Sequence, residues 1–226
     1  MITITLEELI DINLTIGGTT ISGISFDVSD EEYVERLMQA NENLTAKGFI
    51  IDDDDFSDKF MAIAGLLDRY KESDHKIFIN SLRIGLVEEG YAVVLELLLD
   101  DNEDEATVSD VKISFVPNIL VIKTYIDGAE FLKGYEDDGQ EFEAVPCTEA
   151  EFLRELNYKE WPNMMIIQSY IKGRTQFCRT YYFDNEEAFC FDYMEKTMQQ
   201  KTSENFRLDL LRIFGYDVDG DLDGQA

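Results

Sequence analysis

Two incompatible hydrophobic periods occupy separate blocks of this chain. Phe56, Phe60, Ile63, Leu67 and Tyr70 recur every three to four residues, the spacing of one helix face. Tyr91, Val93, Leu95, Leu97 and Leu99 alternate, the spacing of one strand face. Helical patterns come in a run, strand patterns follow in a run, and the strand connections are too short for parallel crossovers. Segregation of this kind specifies an α+β fold built on antiparallel sheet.

Helix starts are marked by their capping chemistry. Thr5-Leu6-Glu7-Glu8, Ser29-Asp30-Glu31-Glu32 and Thr148-Glu149-Ala150-Glu151 each place a hydroxyl three residues before a glutamate. Each is a capping box that satisfies backbone donors reciprocally. After the first, Leu6, Leu9, Ile10 and Leu14 share a helix face, and Gly17-Gly18 ends it. Thr19–Phe26 reads as a short strand or ordered loop. After the second box, Tyr33, Leu37, Ala40 and Leu44 share a face, and Gly48 stands where a left-handed C-terminal glycine belongs. Asp52–Asp55 reads as negative charge at the start of a third helix, which ends near Lys71.

Strands are expected at His75–Leu86 and Tyr91–Leu99, hinged at Glu88-Glu89-Gly90. Two more are expected at Val111–Val116 and Ile119–Ile126, joined at Pro117-Asn118, with Leu120, Ile122 and Ile126 on one face. A polar, acidic loop spans Asp100–Asp110. The third capping box opens a short helix with Phe152, Leu153 and Leu156. A second meander follows at Met164–Lys172, Gln176–Phe183 and Ala188–Tyr193. A final helix is expected over Ser203–Phe214, stopped by Gly215. The expected organisation is 1–135 as helical bundle plus meander, 136–216 as helix, meander and helix, and 217–226 as an acidic tail, all in one unit.

The chain has 226 residues, with 48 acidic side chains against 19 basic ones and a net charge of −29. Such a field repels phosphate backbones and anionic headgroups and speeds encounter with basic protein surfaces. Three cysteines, without a CxxC pair, fit a reducing compartment. No signal peptide and no transmembrane run are visible, so the expected location is the cytoplasm.

Catalytic and metal signatures are sparse. His75 is the one histidine and reads as a surface residue. Any Ser–His–Asp or Cys–His site would have to use it. Cys178 and Cys190 fall in expected strands and read as small core residues. No GxGxxG follows a strand, and no GxxxxGK[ST] occurs. The alternating carboxylates Asp217, Asp219, Asp221 and Asp223 resemble the start of a calcium loop. Neither register supplies both the glycine and the closing glutamate that loop needs, so a solvated terminus is the simpler reading. No catalytic residue, cofactor or metal is assigned. Phe177, Tyr181 and Phe183 share a strand face, as do Phe189, Phe191 and Tyr193. These stripes, and Trp161, are read first as core and otherwise as docking surface.

The stretches ITITLEELIDINLTIGG, AKGFIIDDDDFSDKFMAIAGLL and RIGLVEEGYAVVLELL together resemble EspG-type chaperones of type VII secretion systems. In acidity and small size the chain is similar to the EsaE/EssE-like accessory proteins. The resemblance is sharpest in the first hundred residues. It implies two antiparallel meanders forming a central sheet flanked by helices in a quasi-two-fold arrangement. It also implies a chaperone that keeps a helical or toxin-type secretion substrate soluble and aids its targeting. This chain departs from the longer EspG proteins in being shorter and far more acidic, so no binding residue is carried over. The residues themselves nominate Asp100, Asp101, Glu103, Asp104 and Glu105 as an acidic partner-binding rim, or else a solvated connector. The alternative function is an immunity protein that neutralises a basic toxin such as a nuclease. A nucleic-acid mimic and an enzyme fit less well, because the acids cluster at helix starts and loops and catalytic motifs are missing. Partners are therefore expected to be protein, with no nucleic acid and no membrane insertion.

Overall fold

Three of the six helices in the described residues begin at the capping boxes read from the sequence. The computed structural model describes residues 1–26, 28–52, 55–88, 90–100, 107–128, 142–158, 163–184 and 187–217. The fold is mixed α+β, and every strand ladder resolved in it is antiparallel. The chain divides into two compact units: Met1–Ser73 with Ser81–Val116, and Asp74–Asn80 with the chain from Pro117 onward. The expected junction at 135/136 lies outside the described residues, as does the tail beyond residue 217.

In the first unit, β1 (Ile2–Thr5) leads into α1 (Leu6–Thr15), followed by α2 (Asp30–Ala46). A small hairpin of β2 (Ile50–Asp52) and β3 (Asp55–Phe56) precedes α3 (Asp58–Glu72). Thr5 and Ser29 each accept from the backbone N–H three residues on, while Glu8 and Glu32 return the bond. Gly48 has φ +72°, the left-handed conformation that a Cβ would strain. The acidic run 52–55 does not open α3 as expected. Asp52 and Asp55 belong to the β2–β3 hairpin, and Ser57 caps the helix by accepting from Phe60 N–H.

The sheet of this unit runs β1-β7-β6-β5, with β5 (Leu82–Glu88), β6 (Tyr91–Asp100) and β7 (Thr107–Pro117). Val93, Leu95 and Leu97 of β6 and Val111 and Ile113 of β7 present one face to α1 and α3. There they join Leu9, Ile12, Phe60, Ile63, Leu67 and Tyr70 in a single buried cluster. Gly85 of β5 lets α3 lie close: a Cβ there would sit 2.9 Å from the Tyr70 ring.

The second unit has the order β4-β9-β10-β11-β12-β8. Its strands are β4 (His75–Ile79), β8 (Val145–Pro146), β9 (Asn163–Ile171), β10 (Arg174–Asp184), β11 (Glu187–Asp192) and β12 (Thr197–Lys201). Neighbouring residues on β10 point to opposite faces, as the pleat requires. Tyr182 packs with Phe152 of α5 (Glu149–Tyr158), whose ring stacks on Phe191 at 4.4 Å. Tyr181 meets Phe206 of α6 (Ser203–Ile213) edge-on at 4.9 Å.

Two further expectations are corrected. The single strand expected at His75–Leu86 is two strands, broken at Asn80-Ser81. Asn80 takes φ 46°, a conformation asparagine tolerates, and its side chain accepts from Ile166 N–H of β9. The strand expected at Ile119–Ile126 is a helix, α4 (Asn118–Gly128). Val121 and Ile122 are buried and Tyr125 half-buried, whereas Ile119, Leu120, Lys123 and Thr124 face outward. That is a helical period, and tertiary packing overrides the β-propensity of the β-branched residues. No helix among the described residues is long and apolar enough to cross a membrane.

Candidate functional site

Residues nominated from the sequence fare differently. Asp100 closes β6 and is exposed. Asp101, Glu103, Asp104 and Glu105 lie outside the described residues, as does Trp161. Phe189, Phe191 and Tyr193 are taken up by the buried cluster around Phe152, so this stripe is core.

His75 is not a simple surface residue. It is half-buried, and its Nε2 lies 2.9 Å from Ser169 Oγ. Burial lowers its pKa below the ordinary histidine value. The spacing is that of a base and a hydroxyl nucleophile. However, Ser169 is buried at the centre of β9, paired to Ile77 on one side and Phe177 on the other. At 3% exposure the Ser169 hydroxyl is not presented to solvent as a nucleophile is. The three cysteines are free thiols. Burial pushes the Cys190 thiol up to about 12 and raises Cys147 and Cys178, the opposite of an activated thiolate. Among the described residues, no group of His, Cys, Asp and Glu is arranged to hold a metal ion.

Two charged arrangements stand out. In the second unit, Arg179 donates to Asp192 at 2.7 Å and to Asp209 at 2.9 Å. Lys201 reaches Asp209 at 3.2 Å, and the Tyr181 hydroxyl donates to the same oxygen at 2.8 Å. Two cations face two carboxylates, and all four side chains are largely shielded from water. The spare oxygen of Asp192 accepts the Met194 and Glu195 N–H groups. This cluster ties α6 to β10, β11 and β12 and has its charge balanced internally.

The second arrangement is open. Three acidic residues of α1 are met by donors from α2 and its C-terminus. Arg36 pairs with Glu7 at 3.3 Å, Lys47 pairs with the buried Glu8, and Asn41 donates to Asp11 at 3.1 Å. The first two acids therefore receive a cation and Asp11 receives a neutral amide. Burial raises the pKa of Asp11 above the ordinary aspartate value, and the Asn41 hydrogen bond offsets this only in part.

Beside Asp11 lies a shallow groove of about 440 Å³, lined by Tyr33, Val34, Leu37, Met38, Asn41 and Glu42 of α2. Val34 and Met38 are 58% and 64% exposed, although they extend the apolar stripe that buries Ala40 and Leu44. The stripe of α2 is thus one row wider than α1 covers. The sequence reading found the buried row and missed this outer one. Its signal was the i, i+4 pair Val34/Met38 beside Tyr33/Leu37. A shallow apolar row beside a carboxylate that no cation reaches among the described residues suits a polypeptide better than a small molecule, which needs deeper enclosure. No protein-family model matches the chain, and no curated protein matches it.

Proposed function

We propose that this protein is a cytoplasmic chaperone or adaptor for a helical or toxin-type substrate of a type VII secretion system. It keeps that substrate soluble and aids its targeting to the secretion machinery. Supporting this reading are the resemblance to EspG-type chaperones, the charge of −29 and the α+β order of elements. The observation that carries it is the groove beside Asp11, where exposed Val34 and Met38 meet a carboxylate that, among the described residues, has an amide and no cation as its partner. In this proposal two antiparallel meanders form a central sheet flanked by helices in a quasi-two-fold arrangement. The acidic stretch that begins at Asp100 adds electrostatic steering toward a basic partner.

The test is co-expression with a secreted protein encoded beside it. The expected result is a complex stable through gel filtration and a several-fold rise in the partner's soluble yield. Absence of any complex at low and moderate salt would remove the reading. If co-expression instead abolishes the partner's toxicity and leaves its solubility and export unchanged, the immunity-protein reading replaces it.

A further inference from the structure

We infer that the groove between α1 and α2 takes an amphipathic helix of the partner. Two apolar side chains of that helix lie on Val34 and Met38, and a lysine or arginine lies beside Asp11. This rests on the binding reading above and names the segment that the site takes.

The shape of the site argues for a helix. The groove follows α2 from Tyr33 to Glu42, about 14 Å at the rise of a helix, or between two and three turns. Val34 and Met38 form an i, i+4 ridge, the row that interdigitates with a partner helix. Methionine re-packs readily against varied side chains, which suits a chaperone that must accept a surface and release it. The charge argues for a basic flank. Glu7 and Glu8 already have Arg36 and Lys47, whereas no salt bridge reaches Asp11 among the described residues. Glu42 adds a second carboxylate to the rim. An incoming cation would supply for Asp11 what the fold supplies for its two neighbours on α1. A second copy of this chain is a poor occupant, because two bodies of charge −29 repel.

Burial raises the Asp11 pKa despite the Asn41 hydrogen bond. Its raised pKa means that ionisation of this carboxylate works against the free fold. A neutral replacement is therefore expected to stabilise the free protein while weakening the complex, a trade-off typical of binding sites.

The probes are two synthetic helical peptides of about 18 residues, long enough to hold helix. Both carry leucines at i, i+3, i+4 and i+7; one is flanked by lysines and the other by glutamates. Binding is followed by calorimetry and by methyl NMR of the full chain. The lysine peptide is expected to shift the Met38 methyl resonance and to bind at least about tenfold more tightly than the glutamate peptide, a gap of about 1.4 kcal/mol. Asp11→Asn should weaken the lysine peptide about three- to tenfold and raise the melting temperature of the free protein. The double variant Val34→Asp/Met38→Asp should abolish binding and still fold, since both side chains are exposed. Equal affinity for the two peptides, or shifts confined to other surfaces, would overturn the inference. So would a dimer in sedimentation that the double variant dissolves, because the occupant would then be a second copy. A native partner that still binds the double variant would sink the groove and leave the chaperone reading standing.

Discussion

The Arg179 cluster of the second unit and the Asp11 groove of the first are built from the same kinds of side chain and behave oppositely. In the cluster, Asp209 takes Arg179, Lys201 and Tyr181, and Asp192 takes Arg179 and two backbone N–H groups. Each charge is compensated from within the unit, so nothing external is called for. In the groove, Asp11 has an amide where Glu7 and Glu8 have cations. A partly shielded carboxylate gains most from a cation, and at Asp11 the fold supplies only an amide, so the site favours a ligand that brings one. The contrast separates a side-chain network that holds structure from one suited to function.

The largest test of that contrast is Asp209→Ala. It strands Lys201 and the Tyr181 hydroxyl under α6 and leaves Arg179 with Asp192 alone, and removing one partner from a buried ionic cluster costs about 3–5 kcal/mol. Urea unfolding should show a fall of that size. A loss below about 1 kcal/mol would mean that water reaches the cluster and that the two regions do not differ as described.

The second test compares two residues on one helix. Leu44 is fully buried in the cluster that includes Leu9 and Ile63, so Leu44→Ala should cost about 2–5 kcal/mol through lost contacts and the cavity left behind. Val34→Ala, ten positions earlier on the same helix, should change stability by no more than about 0.5 kcal/mol. Similar losses at both positions would mean that the Val34 row is already covered and is not free to dock a partner.

What could be read in advance follows physical range. The capping boxes at Thr5, Ser29 and Thr148 each lie within four consecutive residues, and the sequence displays them whole. The stripe from Phe60 to Tyr70 was legible because all of it is buried on one side. The helix α4 was not, because Ile119, Leu120, Val121 and Ile122 read locally as strand and only packing selects Val121 and Ile122 as the inward pair. The strand β12 escaped notice because Thr197-Met-Gln-Gln-Lys201 has no apolar alternation. It exists by pairing with β11 after a turn in which Lys196 takes φ 52°. The Arg179–Asp209 bond joins positions thirty residues apart, beyond any local pattern. Half of the groove was visible in the buried face of α2. The other half, Asp11 beside Asn41, depends on how α1 meets α2.

The smallest expected effect has the most diagnostic sign. Burial alone would raise Asp192, but the Glu195 N–H, the Arg179 guanidinium and the Met194 N–H outweigh it and hold its carboxyl below the ordinary value of 3.8. Its folded state releases a proton more readily than its unfolded state. It therefore adds stability above pH 3.8, lost as pH falls through the lower folded value. Asp11 runs the other way. Its folded pKa lies above 3.8, so at neutral pH its ionised form subtracts stability, and the loss is relieved as pH falls through that higher value. Carboxyl-resolved NMR titration of the free protein should give a midpoint above 3.8 for Asp11 and below it for Asp192. Adding the lysine-flanked peptide should pull the Asp11 midpoint down and leave Asp192 where it was, because only Asp11 gains a cation. An Asp11 midpoint that starts below 3.8, or does not move with peptide, would show that its charge is already satisfied. The groove would then have no electrostatic reason to prefer a basic helix.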